Sequence, residues 1–115
     1  MSRITLDTIT KKPNEVLRIN IDFTLYGLDT SELLTGVPIV LEIGTSDLTL
    51  ANKQVNPTTF INNRGKTAEI GKGIQFTIAG GIDGSTYEVE VQCGTNGTIP
   101  QILEVTQPFE VKTTD

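Results

Sequence analysis

The sequence predicts an all-β protein, an immunoglobulin-like antiparallel β-sandwich of about seven strands. Segments with apolar residues at every second position recur along the chain, which is the pattern of strands with one wet face. The connections between them are short and rich in Gly, Asn and Pro. Residues 28–36 allow at most one short helical turn. A parallel sheet is therefore excluded, because nothing supplies its crossover helices.

The chain divides into an N-terminal arm or edge strand, residues 1–13, and a single sandwich domain, residues 14–115. The arm alternates weakly at Ile4 and Leu6 and stops at the Lys-Lys-Pro of residues 11–13. Two interpretations stay open for it. It is either the first strand of its own sandwich or a segment that reaches a neighbouring subunit by strand addition.

Residues 15–26 form the clearest predicted strand, with Asp22 on its polar face as a cross-strand partner. We also expect strands at residues 37–44, 73–80, 86–93 and 102–112, and short strands or ordered loops at residues 47–55 and 58–71. Pro38 and Pro108 indicate a strand edge, a strand start or a bulge. The predicted inward faces include Ile19, Ile21, Phe23, Ile39, Leu41, Ile74, Phe76, Val89 and Val91.

A Gly-x-x-Tyr ends the turn in residues 80–93 and begins a strictly alternating strand. In immunoglobulin-like sandwiches, a tyrosine at the start of the sixth strand bonds through its hydroxyl to backbone upstream. We expect Tyr87 to take this role and Gly84 to supply a positive φ in a hairpin turn. Cys93 then follows on the inward face as a small buried hydrophobe.

The composition limits the chemistry. The 115 residues include no His, no Trp and one Cys, so intrachain disulfides, Cys/His zinc sites and His-dependent catalysis are not expected. The net charge of −5 argues against nucleic-acid partners and anionic membranes. Glu88 and Glu90 alternate on an outward face and read as solvated surface. The sequence predicts no catalytic, cofactor-binding or metal-ligating residues, and we expect a protein that is not an enzyme.

Two stretches together resemble a known family. Residues 11–24 carry Lys-Pro-x-Glu-Val-Leu followed by a strand with Ile-Asp-Phe, and residues 73–112 carry a strand, a Gly-Gly turn, Gly-x-x-Tyr and two further strands. In this order they resemble the small immunoglobulin-like virion proteins of tailed bacteriophages that are described as fiber–tail adaptors. Where that family has a Trp after the Asp of the first motif, this chain has Phe23, and its middle, residues 27–72, is longer.

The resemblance implies a non-enzymatic structural protein of a tailed bacteriophage particle, made in the host cytoplasm and located in the virion. Its expected partners are other phage structural proteins of the tail, neck, fiber or capsid, and self-association is compatible with the pattern. Two alternatives stay open: a capsid cement or decoration protein, and a surface- or carbohydrate-binding module. Two Tyr, four Phe and no Trp supply an aromatic sugar platform poorly.

Overall fold

The computed structural model describes residues 4–113 of the chain. Over this range the chain forms ten strands and one 3-10 helix, Phe23–Leu25. The strands are β1 (Ile4–Thr5), β2 (Ile9–Lys11), β3 (Leu17–Asp22), β4 (Leu34–Glu42), β5 (Leu48–Val55), β6 (Phe60–Ile61), β7 (Thr67–Ala68), β8 (Gly73–Gly80), β9 (Thr86–Thr95) and β10 (Ile102–Val111).

The strands build two packed sheets and a small hairpin. In the larger sheet β10 and β9 are central, β4 forms one edge, and β1 and β2 share the other edge beside β10. In the smaller sheet β8 lies between β3 and β5. The β6–β7 hairpin stands apart from both. All pairs are antiparallel except those of β1 and β2 with β10, which are parallel.

The strand order is that of an immunoglobulin sandwich, in which strands C, F and G form one sheet and B, E and D pair in the other. Here β4, β9 and β10 take the first set of places and β3, β8 and β5 the second. The predicted fold class, an all-β antiparallel sandwich, is confirmed.

The core lies between the two sheets, where the apolar faces of most of the predicted strands meet. Side chains from both sheets fill it, and 16 buried residues form one cluster. The inward side chains of β8 and β9 follow the prediction, since Ile74, Phe76, Val89 and Val91 are all at most 1% exposed. Cys93 is buried as expected, and its thiol donates to the Thr35 carbonyl at 3.3 Å.

The N-terminal segment pairs with its own β10. Pairing breaks between β1 and β2 beside Pro108, which has no N–H to offer the adjacent strand. The Gln107 side chain spans this break, donating to the carbonyls of Asp7 and Pro108 at 2.8 and 2.9 Å. The Lys11 ammonium then fastens β2 by donating to the Gly80 carbonyl at 2.7 Å. Residues 1–3 of the predicted arm and the last two residues of the chain lie outside the described residues.

The predicted strand over residues 15–26 is shorter than expected. It ends at Asp22, and the 3-10 helix begins at Phe23, which is still fully buried. Asp22 is not the exposed cross-strand partner that the alternation predicted. It is 4% exposed and caps the helix, accepting from the Thr24 N–H at 3.0 Å. The strand ends here because the Asp22 carboxylate binds the free Thr24 N–H as a helix cap, and this local hydrogen bond outweighs the apolar alternation of the sequence.

The phase of β4 is also opposite to the prediction. Ile39 and Leu41 were expected inside, but they face outward while Val40 is 1% exposed. Pairing with β9 sets this phase, because Val40 lies opposite the buried Val91. Glu42 fixes it further by accepting from the N–H groups of Asp47 and Leu48 at 2.8 and 3.0 Å, across the turn into β5.

The turn at residues 80–85 is a corner between the sheets. A hairpin was expected, but β8 and β9 belong to different sheets and do not pair. Gly84 has φ 88° as predicted, and Gly80 and Gly81 also have positive φ. The Tyr87 hydroxyl accepts from the Ile82 N–H at 2.8 Å and donates to Asp47 Oδ2 at 3.0 Å. The predicted tyrosine staple is therefore present, and it also reaches the start of β5.

We expect Tyr87→Phe to lower the free energy of unfolding by about 1–3 kcal/mol, because it leaves the Ile82 N–H without its acceptor. Urea denaturation measures the change. Tyr26→Phe is the matched control, since the Tyr26 hydroxyl makes no hydrogen bond within the described residues, and it should change stability far less. Equal effects of the two substitutions would contradict this role for the corner.

Candidate interaction surface

The residues that sequence reasoning considered for chemistry do not come together. Within the described range no three acidic or Cys side chains cluster as metal ligands would. Burial raises the pKa of the Cys93 thiol, so its reactive thiolate form is disfavoured. Asp83, in the corner turn, accepts from the Thr113 N–H at 2.8 Å. The side-chain oxygen of Asn62 is likewise occupied, by the N–H groups of Arg64 and Lys66.

One buried carboxylate was missed by the sequence. Glu32 precedes β4 and is 4% exposed. Its carboxylate accepts from the Thr95 hydroxyl at 2.8 Å, the Gln101 amide at 3.1 Å and the Asp29 N–H at 3.2 Å. The Thr95 hydrogen bond is the largest of the effects that lower the pKa of Glu32. Its partners lie in three separate segments, so this cluster ties loops together.

The outward side chains of β4 form the most unusual surface. They are Val37, Ile39 and Leu41, continued by Ile43 directly after the strand, with exposed fractions of 80%, 47%, 53% and 36%. Four successive outward positions that are all apolar, on an edge strand, make a continuous stripe on the protein surface. We call these four residues the β4 face. Contiguous exposed apolar surface of this kind is typical of interaction sites.

Acidic residues flank the β4 face. On β9, Glu90 lies opposite Leu41, and on β10, Glu104 lies opposite Gln92, the β9 partner of Ile39. Glu88 and Glu110 extend the row along the sheet. The outward positions of β4, β9 and β10 thus hold four Glu and no Lys or Arg. Among the described residues, the one ion pair joins Glu110 to Lys112 at 3.3 Å. The surface is apolar along one edge and negatively charged beside it.

A shallow groove prolongs this surface. It has a volume of ≈ 320 Å³ and runs from Ile43 past Glu88 to Pro108 and Thr8. The groove gives the flat sheet a recess in which one side chain of a partner can be seated. The apolar stripe, the acidic row and the recess are contiguous on one side of the molecule.

The outer face of the smaller sheet is different. Amide side chains hydrogen-bond across its three strands, from Gln54 to Gln75 at 3.0 Å and from Gln75 to Asn20 at 2.9 Å. Asn52 donates to the Thr77 hydroxyl at 3.2 Å. This face is polar, as the alternation predicted. The apolar stripe of the β4 face therefore has no counterpart on the outer face of the smaller sheet.

The chemistry of the larger sheet favours a particular kind of partner. Apolar side chains bind the β4 face by removing both surfaces from water. Lys or Arg beside them neutralise the glutamates, which also steers the encounter. A second copy placed face to face would bring no Lys or Arg to these glutamates, because the outward positions of β4, β9 and β10 hold neither, which disfavours self-association through this surface.

Comparison with protein-family models, with curated proteins and with solved structures found no match. No helix in residues 4–113 has the length and apolar character needed to cross a membrane.

Exchanging Glu32 for Gln should remove a pH-dependent part of the stability. Because folding holds the pKa of Glu32 below its ordinary value of 4.5, its contribution is complete above that value and is lost as the pH falls through the folded pKa. We expect the melting temperature of Glu32→Gln to fall below that of the wild type at pH 7 and to converge with it in acid. Glu69→Gln, at an exposed position, is the matched control and should show no such convergence.

The phase of β4 can be tested by two neighbouring substitutions. Leu41→Ser should change the free energy of unfolding by less than about 0.5 kcal/mol, because Leu41 faces water. Val40→Ala should cost about 2 kcal/mol, because it opens a cavity in the core. Urea denaturation of the two variants measures both losses of unfolding free energy. A larger loss in Leu41→Ser than in Val40→Ala would mean that Leu41, and not Val40, lies in the core.

Proposed function

We propose that this chain is a non-enzymatic structural protein of a tailed bacteriophage particle, which joins tail or neck components to fiber components. The observation that carries the proposal is the β4 face, an exposed apolar stripe beside a row of glutamates. A contiguous exposed apolar surface of this kind is typical of a site that binds a partner. The proposed partner is another structural protein of the particle that presents apolar side chains flanked by Lys or Arg.

The assignment to a phage particle rests on the resemblance of residues 11–24 and 73–112. In the structure, residues of both stretches make hydrogen bonds that hold turns and strand ends. In the first, Glu15 accepts from the Lys12 N–H at 2.7 Å and closes the turn before β3, and Asp22 caps the 3-10 helix. In the second, Tyr87 forms the corner. Motif residues that hold turns suit a module whose role is to be a stable connector.

A capsid cement protein is the second candidate from the same class, because such a protein also needs a stable sandwich with an exposed binding surface. A carbohydrate-binding module receives less support. Sugar platforms need exposed aromatic rings. All six aromatic residues lie in the described range and none is exposed, since four are buried and Tyr26 and Phe60 are partly buried.

Immunogold electron microscopy of phage particles from the source, with antibody to this chain, tests the proposal. Gold at the neck or tail is the expected result. Gold spread over the head would replace the adaptor assignment by the cement assignment. Absence of gold from intact and disrupted particles would overturn the proposal.

A second experiment tests the surface. We expect Ile39→Lys/Leu41→Lys to lower the amount of this chain in purified particles at least about tenfold, because a charged β4 face no longer excludes water at a central contact. Immunoblotting of particles assembled with the variant measures the loss. The matched control is Ile61→Lys/Ile70→Lys, which places two lysines at exposed isoleucines outside the β4 face and should leave incorporation unchanged. Equal incorporation of both double variants would exclude the β4 face.

A further inference from the structure

One glycine of this chain is not required by the fold. The structure describes all eleven glycines. Eight have a positive φ, a conformation that other residues rarely adopt. At Gly73 and Gly97 an added Cβ would collide with neighbouring atoms, so no larger side chain fits there. Gly94 is the exception, because its φ is not positive and an added Cβ would meet only the Gln101 carbonyl oxygen, at 3.8 Å.

Gly94 lies on the outer face of the larger sheet. It pairs with Ile102 of β10 on one side and with Thr35 of β4 on the other. Val91 and Cys93 point into the core, so Gly94 belongs to the outward positions of β9. A glycine inside a strand weakens it and often marks a place where a ligand or another backbone approaches closely. We call the open space above this residue, between Thr35 and Ile102, the Gly94 notch.

The most exposed apolar side chains of the described residues lie at the same end of this face. They are Ile99, Val37 and Ile102, with exposed fractions of 84%, 80% and 75%. Ile102 is the direct neighbour of Gly94, and Val37 lies in the bulge of β4 between the partners of Gly94 and Gln92. Ile99 lies in the loop that joins β9 to β10, just beyond this pair. The notch therefore has an apolar rim, and exposed apolar surface is typical of a binding site.

Hydrogen bonds hold the loop between β9 and β10 in place. The Thr95 N–H donates to the Gln101 carbonyl at 2.9 Å and closes the loop. The Gln101 amide donates to the buried Glu32 at 3.1 Å. Asn96 and Leu33 exchange two hydrogen bonds, at 2.8 and 3.0 Å. The rim is ordered before a partner arrives, which lowers the entropic cost of binding.

The charge beside the notch indicates which partner fits. Glu104 follows Ile102 on the same face, lies opposite Gln92 and is exposed. The outward positions of β4, β9 and β10 hold no Lys or Arg that could pair with it. A partner that fills the notch with an apolar side chain and carries Lys or Arg beside it satisfies both features. A second copy of this chain brings no such cation through the same surface.

We propose that the Gly94 notch receives one large apolar side chain of the structural protein that binds the β4 face, with a Lys or Arg of that partner beside Glu104. The inference rests on the proposed function, because the partner is a protein of the particle. It adds the residue that selects the shape of the partner. Val37 belongs both to the rim and to the β4 face, so the two form one continuous surface.

Immunoblotting of purified particles assembled with Gly94→Leu tests the proposal. We expect incorporation at least about tenfold below that of the wild type, because the new side chain occupies the space that the partner needs. The melting temperature should match or exceed that of the wild type, because the position is open and glycine is unfavourable in a strand. Thr49→Leu, at an exposed position of β5, is the matched control and should leave incorporation unchanged.

The outcomes separate the notch from the proposed function. Equal incorporation of Gly94→Leu and wild type would overturn the notch and leave the proposed function standing. A melting temperature of Gly94→Leu well below that of the wild type would show that the fold requires this glycine, and it would also overturn the notch. Absence of the wild-type chain from the particles would overturn both.

Photo-crosslinking identifies the occupant. Ile99 is replaced by p-benzoylphenylalanine, which places the probe on the rim and leaves the notch open. In particles that carry this variant, mass spectrometry should find a crosslink to another protein of the particle, at a segment with a large apolar residue and a neighbouring Lys or Arg. A crosslink to a second copy of this chain, or to an acidic segment, would overturn the proposed occupant.

Discussion

The register of β9 is the constraint on which the rest of the sandwich depends. The Tyr87 hydroxyl holds the corner through Ile82 and thereby fixes which residues of β9 point inward. Because a slip of one residue would turn every side chain to the other face, that single choice sets the phase of both neighbours. It places Val40 of β4 opposite Val91 and Val105 of β10 opposite the same residue. These three cross-strand neighbours form the centre of the core side of the larger sheet.

The same constraint produces the exposed stripe. Once Val40 is directed inward, the alternation of β4 leaves Ile39 and Leu41 outside, however apolar they are. Glu42 supports the arrangement. Burial by itself would raise the pKa of Glu42, but hydrogen bonds from Thr45, Leu48 and Asp47 outweigh it and lower the pKa. The charged carboxylate is therefore stable where it links β4 to β5. The packing of Val40, the turn held by Glu42 and the acidic surface are all compatible with this one phase of β4. The exposure of the apolar β4 face is a consequence of that phase.

Alternation predicted the fold where one phase of a strand is apolar and the other is polar. This holds for β8 and β9, and there the core residues Phe76 and Val89 were correctly placed. It failed in β4, since Val40 in one phase and Ile39 in the other are both apolar, and the deciding contacts come from distant residues. It failed at Asp22 because a cap depends on the N–H of Thr24 and not on periodicity. For the same reason the candidate surface could not be predicted, because an apolar stripe that binds a partner has the sequence of one that fills a core.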